Sequence, residues 1–329
     1  MRKDASAPLS EIHPSWASQW LRWIQLLLSL LSVGVLVYVF IVVGRDMQSL
    51  LARPKAVSWG TLLVSEALLL FFFALQAQGW RLTLARLDGS KLSLGTAFHV
   101  WWLSQSGRYL PSGKVLTWVS RYALASAHAV PLQTISLSLF LEHILTPLGA
   151  VLIFTLFSLM YVANFLDSWL WFIIGTAGGC LLLLSPPLLQ KATDIWAQFR
   201  HQPQVQLRLN WTDIIPLAVH YMFQWAVAGT AFVVFLVAVT QIELENRLVL
   251  IGIFPLGWVC GFLSIITPGG LGVREVALGL LLTNFMPVSL AVFVASASRL
   301  WWMLGEGISF LTALSLARFH RSSAQIHVS

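Results

Sequence analysis

Residues 132–162 read LQTISLSLFLEHILTPLGAVLIFTLFSLMYV, thirty-one positions in which Glu142 and His143 are the only ionisable side chains apart from Tyr161. As a helix this run extends about 46 Å, more than the hydrocarbon core of a bilayer, roughly 30 Å thick. Helices satisfy their own backbone hydrogen bonds, which a chain in lipid must do. The stretch reads as a membrane crossing, and it sets the fold class.

Working outward, comparable apolar runs occupy Trp23–Val43, Val57–Ala77, Trp169–Leu189, Ile214–Thr240, Leu248–Thr267 and Val288–Ala317. Val273–Phe285 is shorter and is counted as a short or tilted span. Leu92–Val130 is apolar but broken by Gly107, Pro111 and Gly113, and is expected to dip in and return to the same side. The pattern predicts an all-α, polytopic transmembrane bundle of about eight spans with one or two broken or re-entrant hairpins. Its expected parts are an N-terminal tail (1–22), one integral membrane domain (23–317) and a C-terminal tail (318–329). Trp23–Val43 is too long for a secretion-signal core and is followed by Gly44-Arg45-Asp46 rather than a small-residue cleavage site, so it reads as a retained anchor.

Composition agrees. Apolar residues make up 57% of the chain and charged ones 10%, against about 25% in a typical soluble domain. The net charge of +7 is scattered between spans rather than gathered in a patch for nucleic acid. With both termini placed in the cytoplasm of a bacterial inner membrane, the inside segments hold 11 Lys and Arg and the outside segments 4, as the positive-inside rule expects. Trp101, Trp102, Trp169, Trp171, Trp301 and Trp302 lie near span ends, where aromatic belts form. Cys180 and Cys260 fall inside apolar spans and read as packing residues.

Two interrupted segments carry the chemistry. In the first, Gly107-Arg108-Tyr109-Leu110-Pro111-Ser112-Gly113-Lys114, Pro111 ends one helix and can open the next. From Ser112 onward Lys114, Trp118 and Arg121 share a helix face. Cations beside free helix N-terminal amides suit an anion; snorkelling at an interface is an equally good reading. In the second, Thr267-Pro268-Gly269-Gly270-Leu271-Gly272, the glycines permit a tight turn before a helix that starts near Val273 with Arg274 and Glu275 in its first turn; an ordinary Gly/Pro-rich loop between two spans is the alternative reading. Paired interruptions in the two halves of a transporter point to a midplane binding site.

Other ionisable residues lie within the apolar runs: Glu66, Glu142, His143, His220, Arg299 and Glu306. Charges at that depth are costly and normally face a partner or a pathway. Glu66, Glu142, Glu275, Arg299 and Glu306 are candidates for ion pairing or proton coupling. His143 joins them beside Glu142, although a hydrogen-bonded packing role is the more ordinary reading for a lone histidine. There is no His-Glu-x-x-His, Gly-x-Ser-x-Gly, Walker loop or zinc-ligand spacing, so no metal, cofactor or hydrolytic centre is expected.

The stretch Gly107–Arg121, Glu142 in the following run and Pro268-Gly269-Gly270-Leu271-Gly272-Val273-Arg274-Glu275 together resemble the transmembrane region of lysylphosphatidylglycerol synthases, a family also described as flippase-like. The resemblance spans roughly Trp23–Ala317. Ser112 departs from the pattern, which commonly has glycine there, and the soluble aminoacyl-transfer domain of two-domain members is not expected here. The resemblance implies lipid handling without the synthase chemistry. The leading expectation is binding and translocation of an anionic phospholipid or lipid-linked sugar, with Arg108, Tyr109, Lys114, Trp118, Arg121 and Arg274 at the headgroup. Pro111, Gly113, Pro268, Gly269, Gly270 and Gly272 would form the breaks. The alternatives are a lipid-modifying enzyme using Glu142-His143 and a non-catalytic subunit of a membrane enzyme.

Overall fold

A computed structural model describes residues 57–105, 113–161, 175, 178–179, 182–199, 209–240, 247–264, 270 and 272–326. Among these, the regular secondary structure is helical throughout. In chain order the helices are α1 (Trp59–Asp88), α2 (Leu94–Gln105), α3 (Gly113–Ser126), α4 (Leu132–Tyr161), α5 (Pro186–Phe199), α6 (Trp211–Val239), α7 (Arg247–Leu263), α8 (Val273–Leu282) and α9 (Val288–Ile326). Four of them carry apolar stretches of 27 to 29 residues, Trp59–Leu87, Leu132–Ser158, Trp211–Val239 and Val288–Leu316. Each such stretch is about 40 Å long and crosses a bilayer with some tilt. The protein is an all-α, multi-pass membrane protein. The expected span Trp23–Val43 and most of Trp169–Leu189 lie outside the described residues.

The frame is built on α1 and α6, which run antiparallel. Ser58 N–H donates to the Ala238 carbonyl at 3.2 Å, Ser65 Oγ to the Ala231 carbonyl at 2.8 Å, and His220 Nε2 lies 2.9 Å from the Leu75 carbonyl. At the opposite end Arg86 Nη1 meets Asp213 Oδ1 at 2.6 Å. Arg86 also approaches the Thr212 carbonyl, whose helical partner is missing because position 216 is proline.

Helices α4, α6 and α7 close around one another on three glycines, each helix presenting one to the next. A β-carbon at Gly149 would come within 2.6 Å of the Tyr221 carbonyl oxygen, and one at Gly252 within 2.9 Å of the Phe154 α-carbon. A β-carbon at Gly229 would overlap the Ile251 carbonyl oxygen. Pro255 lies four residues after Ile251 and supplies no amide to that carbonyl. The oxygen therefore turns to the Gly229 α-carbon, a close backbone approach of the kind small residues permit between helices in lipid.

Two hairpins lean on this frame. One is α2–α3, about 18 and 21 Å long. The other is α7–α8. At ten residues α8 is about 15 Å long, too short to cross, so the short span expected at Val273–Phe285 is the returning arm of a broken hairpin. It runs back along α7, with Leu278 beside Gly257 and the Arg274 β-carbon beside Gly261. Gly270 and Gly272 have φ of 70° and 83°, the left-handed region in which a side chain is strained, so the reversal requires glycine at both.

Candidate functional site

The first cluster forms where α3 crosses α1, α2 and α4. Arg121 is fully buried, with 0% of its surface exposed. Its Nε donates to Ser104 Oγ at 2.6 Å and its Nη1 to Glu142 Oε2 at 3.1 Å. Its guanidinium lies over the rings of Trp80 and Trp101, 4.9 and 5.3 Å from their centroids. The other Glu142 oxygen accepts the Trp101 indole N–H at 2.8 Å, and Trp80 donates to Ser138 Oγ at 3.0 Å. A charge taken out of water needs both a counter-charge and satisfied hydrogen bonds; Arg121 receives these from α2 and α4, and a ring face from α1. Arg121 does not snorkel.

Adjacent to Glu142, His143 lies between the two hairpins. Its Nδ1 is 2.8 Å from the Leu139 carbonyl, so that nitrogen carries the proton and Nε2 accepts the Trp118 indole N–H at 3.3 Å. On its other side the imidazole meets the Phe262 ring, 5.9 Å away, near the end of α7. Phe262 stacks on Trp258 at 5.1 Å. Trp118 belongs to α3 and Phe262 to α7, so both hairpins reach the middle of α4 at this residue.

The second cluster gathers α7, α8 and α9. Arg274, buried in the first turn of α8, lies 4.8 Å from the Phe254 ring centroid and 4.4 Å from that of Trp302. Trp302 donates its indole N–H to Glu306 Oε1 at 2.7 Å. Glu275 Oε2 accepts the Gly272 amide at 2.8 Å, capping α8, and Oε1 faces Arg299 Nε at 3.7 Å. An aromatic chain joins the clusters: Trp101 to Trp102 at 5.1 Å, Trp102 to Phe73 at 4.7 Å and Phe73 to Trp302 at 5.0 Å. Arginine faces on aromatic rings at its two ends are cation–π contacts in a medium that weakens them little.

Residues 22–304 match the family described as lysylphosphatidylglycerol synthase TM region. The chain belongs to this family. It matches no curated protein and no solved structure. Membership in the lysylphosphatidylglycerol synthase TM family makes it a membrane protein related to lipid modification or transport.

Within this family member the sequence-derived residues sort as follows. Arg121 and Glu142 meet each other, Trp118 meets His143, and Glu275 meets Arg299. Arg274 and Glu306 meet on Trp302. Gly113 opens α3, and Lys114 follows it in the same turn. Arg108, Tyr109, Pro111, Pro268 and Gly269 lie outside the described residues. Arg121 and Arg299 were expected to bring charge to a ligand or a partner, and each already faces a carboxylate. Glu66 is apart from both ion pairs: it packs between α1 and Gly305 of α9.

The sequence reading missed the residues that make Arg121 tolerable, namely Trp80, Ser104 and Ser138, and it misassigned four tryptophans. Trp101, Trp102, Trp301 and Trp302 are not belt residues. All four are buried: Trp101 and Trp302 give their indole N–H groups to Glu142 and Glu306 and their faces to Arg121 and Arg274, whereas Trp102 packs on Phe73 and Trp301 on Phe235. Trp169 and Trp171 lie outside the described residues. The available signal was the spacing of Trp302 and Glu306, one helical turn apart.

Proposed function

We propose that the protein binds the anionic headgroup of a phospholipid or lipid-linked sugar between its two helical breaks and carries it between leaflets. The observation that carries this reading is the convergence at His143, where α3 of one hairpin and α7 of the other pack on the same side chain. Each hairpin has one arm that begins at its break, α3 at Gly113 and α8 at Val273. Such helix starts present backbone amides to an anion. Arg108, Tyr109, Lys114 and Trp118 on one side and Arg274 on the other are the proposed headgroup contacts. Arg121, held by Glu142, fixes the position of α3. The chain is oriented with both termini in the cytoplasm, in a bacterial inner membrane, as its Lys and Arg distribution favours.

An enzyme using Glu142 and His143 as acid and base has less support. Both Glu142 oxygens and both His143 ring nitrogens are engaged with neighbouring groups. The transport reading is tested by reconstituting purified protein in liposomes carrying a fluorescent anionic phospholipid in one leaflet. Wild-type protein should speed its appearance in the other leaflet, and Arg274→Ala should lose at least about tenfold of that rate, the equivalent of about 1.4 kcal/mol. A wild-type rate equal to that of empty liposomes would overturn the proposal. If the protein instead co-purifies with a stoichiometric membrane enzyme and Arg274→Ala is silent, the scaffold role replaces it.

A further inference from the structure

Acidic side chains in the membrane-embedded part of this protein have partners, with one exception among the described residues. Glu142 holds Arg121, Glu275 caps α8 and faces Arg299, and Glu306 accepts from Trp302. Glu66 is 8% exposed, and neither of its oxygens has a hydrogen-bond partner. It projects from α1 to where α9 crosses, beside Leu69 and Phe73, in a notch that exists because position 305 is glycine. A β-carbon there would come within 2.9 Å of Glu66 Oε1. Among the described residues, the neighbouring helices offer no counter-charge. On α9, Arg299 and Glu306 are engaged with Glu275 and Trp302. On α4, Glu142 and His143 are engaged with Arg121 and Trp118. On α2, His99 Nδ1 meets the Ala313 carbonyl, and on α6, Asp213, His220 and Tyr221 lie toward the far end of α1, with Asp213 bound to Arg86.

A carboxylate sealed in apolar surroundings with no donor and no cation is far less stable than the neutral acid. We infer that Glu66 is an intramembrane proton-binding site, protonated while α1 and α9 are closed on it and ionised when their crossing opens. On the transport reading above, this makes Glu66 the residue through which a proton gradient drives lipid movement. The step is a simple exchange: the neutral acid releases H⁺ to water on one side and regains it from the other, with no other reactant consumed.

Protein in lipid nanodiscs is compared with Glu66→Gln by infrared spectroscopy at neutral pH, and both proteins are assayed in liposomes under an imposed pH gradient. The wild type should show a protonated-carboxyl C=O stretch that the variant lacks, and the variant should fold with unchanged thermal stability because the amide matches the neutral acid in shape. One pH unit changes protonation about tenfold, so a one-unit gradient should change wild-type transport by up to that factor, while the Glu66→Gln ratio falls to about one. Absence of the band, or marked destabilisation by Gln, would show Glu66 ionised and overturn the proton site. A band with gradient-insensitive transport overturns the coupling. If the band is present and no anionic lipid moves in either protein, the proton site stands and the transport reading fails.

Discussion

Arg121 shows what a buried charge demands of its surroundings. Its guanidinium uses Ser104, Glu142 and two indole faces, so it cannot be trimmed without stranding Glu142. Removing one partner of a buried ion pair typically costs about 3–5 kcal/mol. Arg121→Ala and Glu142→Gln should each lower thermal stability in detergent by an amount in that range. The double replacement Arg121→Met/Glu142→Leu should cost less than the sum, since neither charge is then left alone. Arg121→Lys should behave as a loss, because an ammonium cannot satisfy Ser104 and Glu142 together while stacking on Trp80 and Trp101. Additive single and double effects would refute the pairing. At this scale the sequence revealed the charges and little of their company. Arg121, Glu142, Arg274 and Arg299 stand out because ionisable residues are rare in apolar runs. Ser104, Ser138 and Trp80 do not, since nothing local distinguishes a serine that serves a guanidinium from one that returns its hydroxyl to its own helix.

Elements were legible where proline and glycine punctuate. The glycines of 269–272 and the Pro111–Gly113 break announced helix starts near the positions at which α3 and α8 begin, because these residues act through backbone geometry that needs no tertiary context. What the pattern could not supply was which helices touch. Gly149, Gly229 and Gly252 look alike in the sequence to Gly60 and Gly307, yet the first three sit against a neighbouring backbone and the last two face open space. That difference separates two predictions. Gly229→Ala should force α6 from α7 and destabilise the protein by about 1–3 kcal/mol, the usual cost of overpacking. Gly307→Ala, at an uncrowded position, should be neutral or stabilise by up to about 1 kcal/mol through helix propensity. Thermal unfolding of the two variants side by side checks the contrast, and a neutral Gly229→Ala would mean that the α6–α7 contact is looser than described. Likewise, hydropathy marks Trp101, Trp102, Trp301 and Trp302 as residues near span ends and cannot say whether an indole turns to the headgroups or inward.

For the molecule as a whole, the frame of α1, α4, α6 and α7 is held by backbone-close contacts and interhelical hydrogen bonds, whereas the α2–α3 hairpin meets α7, the framed arm of the other hairpin, through side chains around His143. A rigid frame with hairpins joined by a narrow side-chain contact is the arrangement in which relative movement is least costly, since few buried groups must be exchanged. If transport requires the hairpins to separate, tying them together should stop it without unfolding the protein. The cross-link is made between Trp118→Cys and Phe262→Cys, which flank the imidazole, in a background with Cys180 and Cys260 replaced by alanine. A short reversible bis-thiosulfonate reagent should bridge the pair within one chain, seen as a mobility shift that reductant reverses. Relative to the untreated double-cysteine protein, transport of the labelled anionic lipid should then fall at least about tenfold and return to the untreated level on reduction, while thermal stability holds or rises because the link restrains the unfolded chain. Failure to cross-link would place the two side chains farther apart than the shared contact with His143 allows. Efficient cross-linking with undiminished transport would mean the hairpins move as one body, and the opening would then have to lie at another junction, the α1–α9 crossing at Glu66 and Gly305.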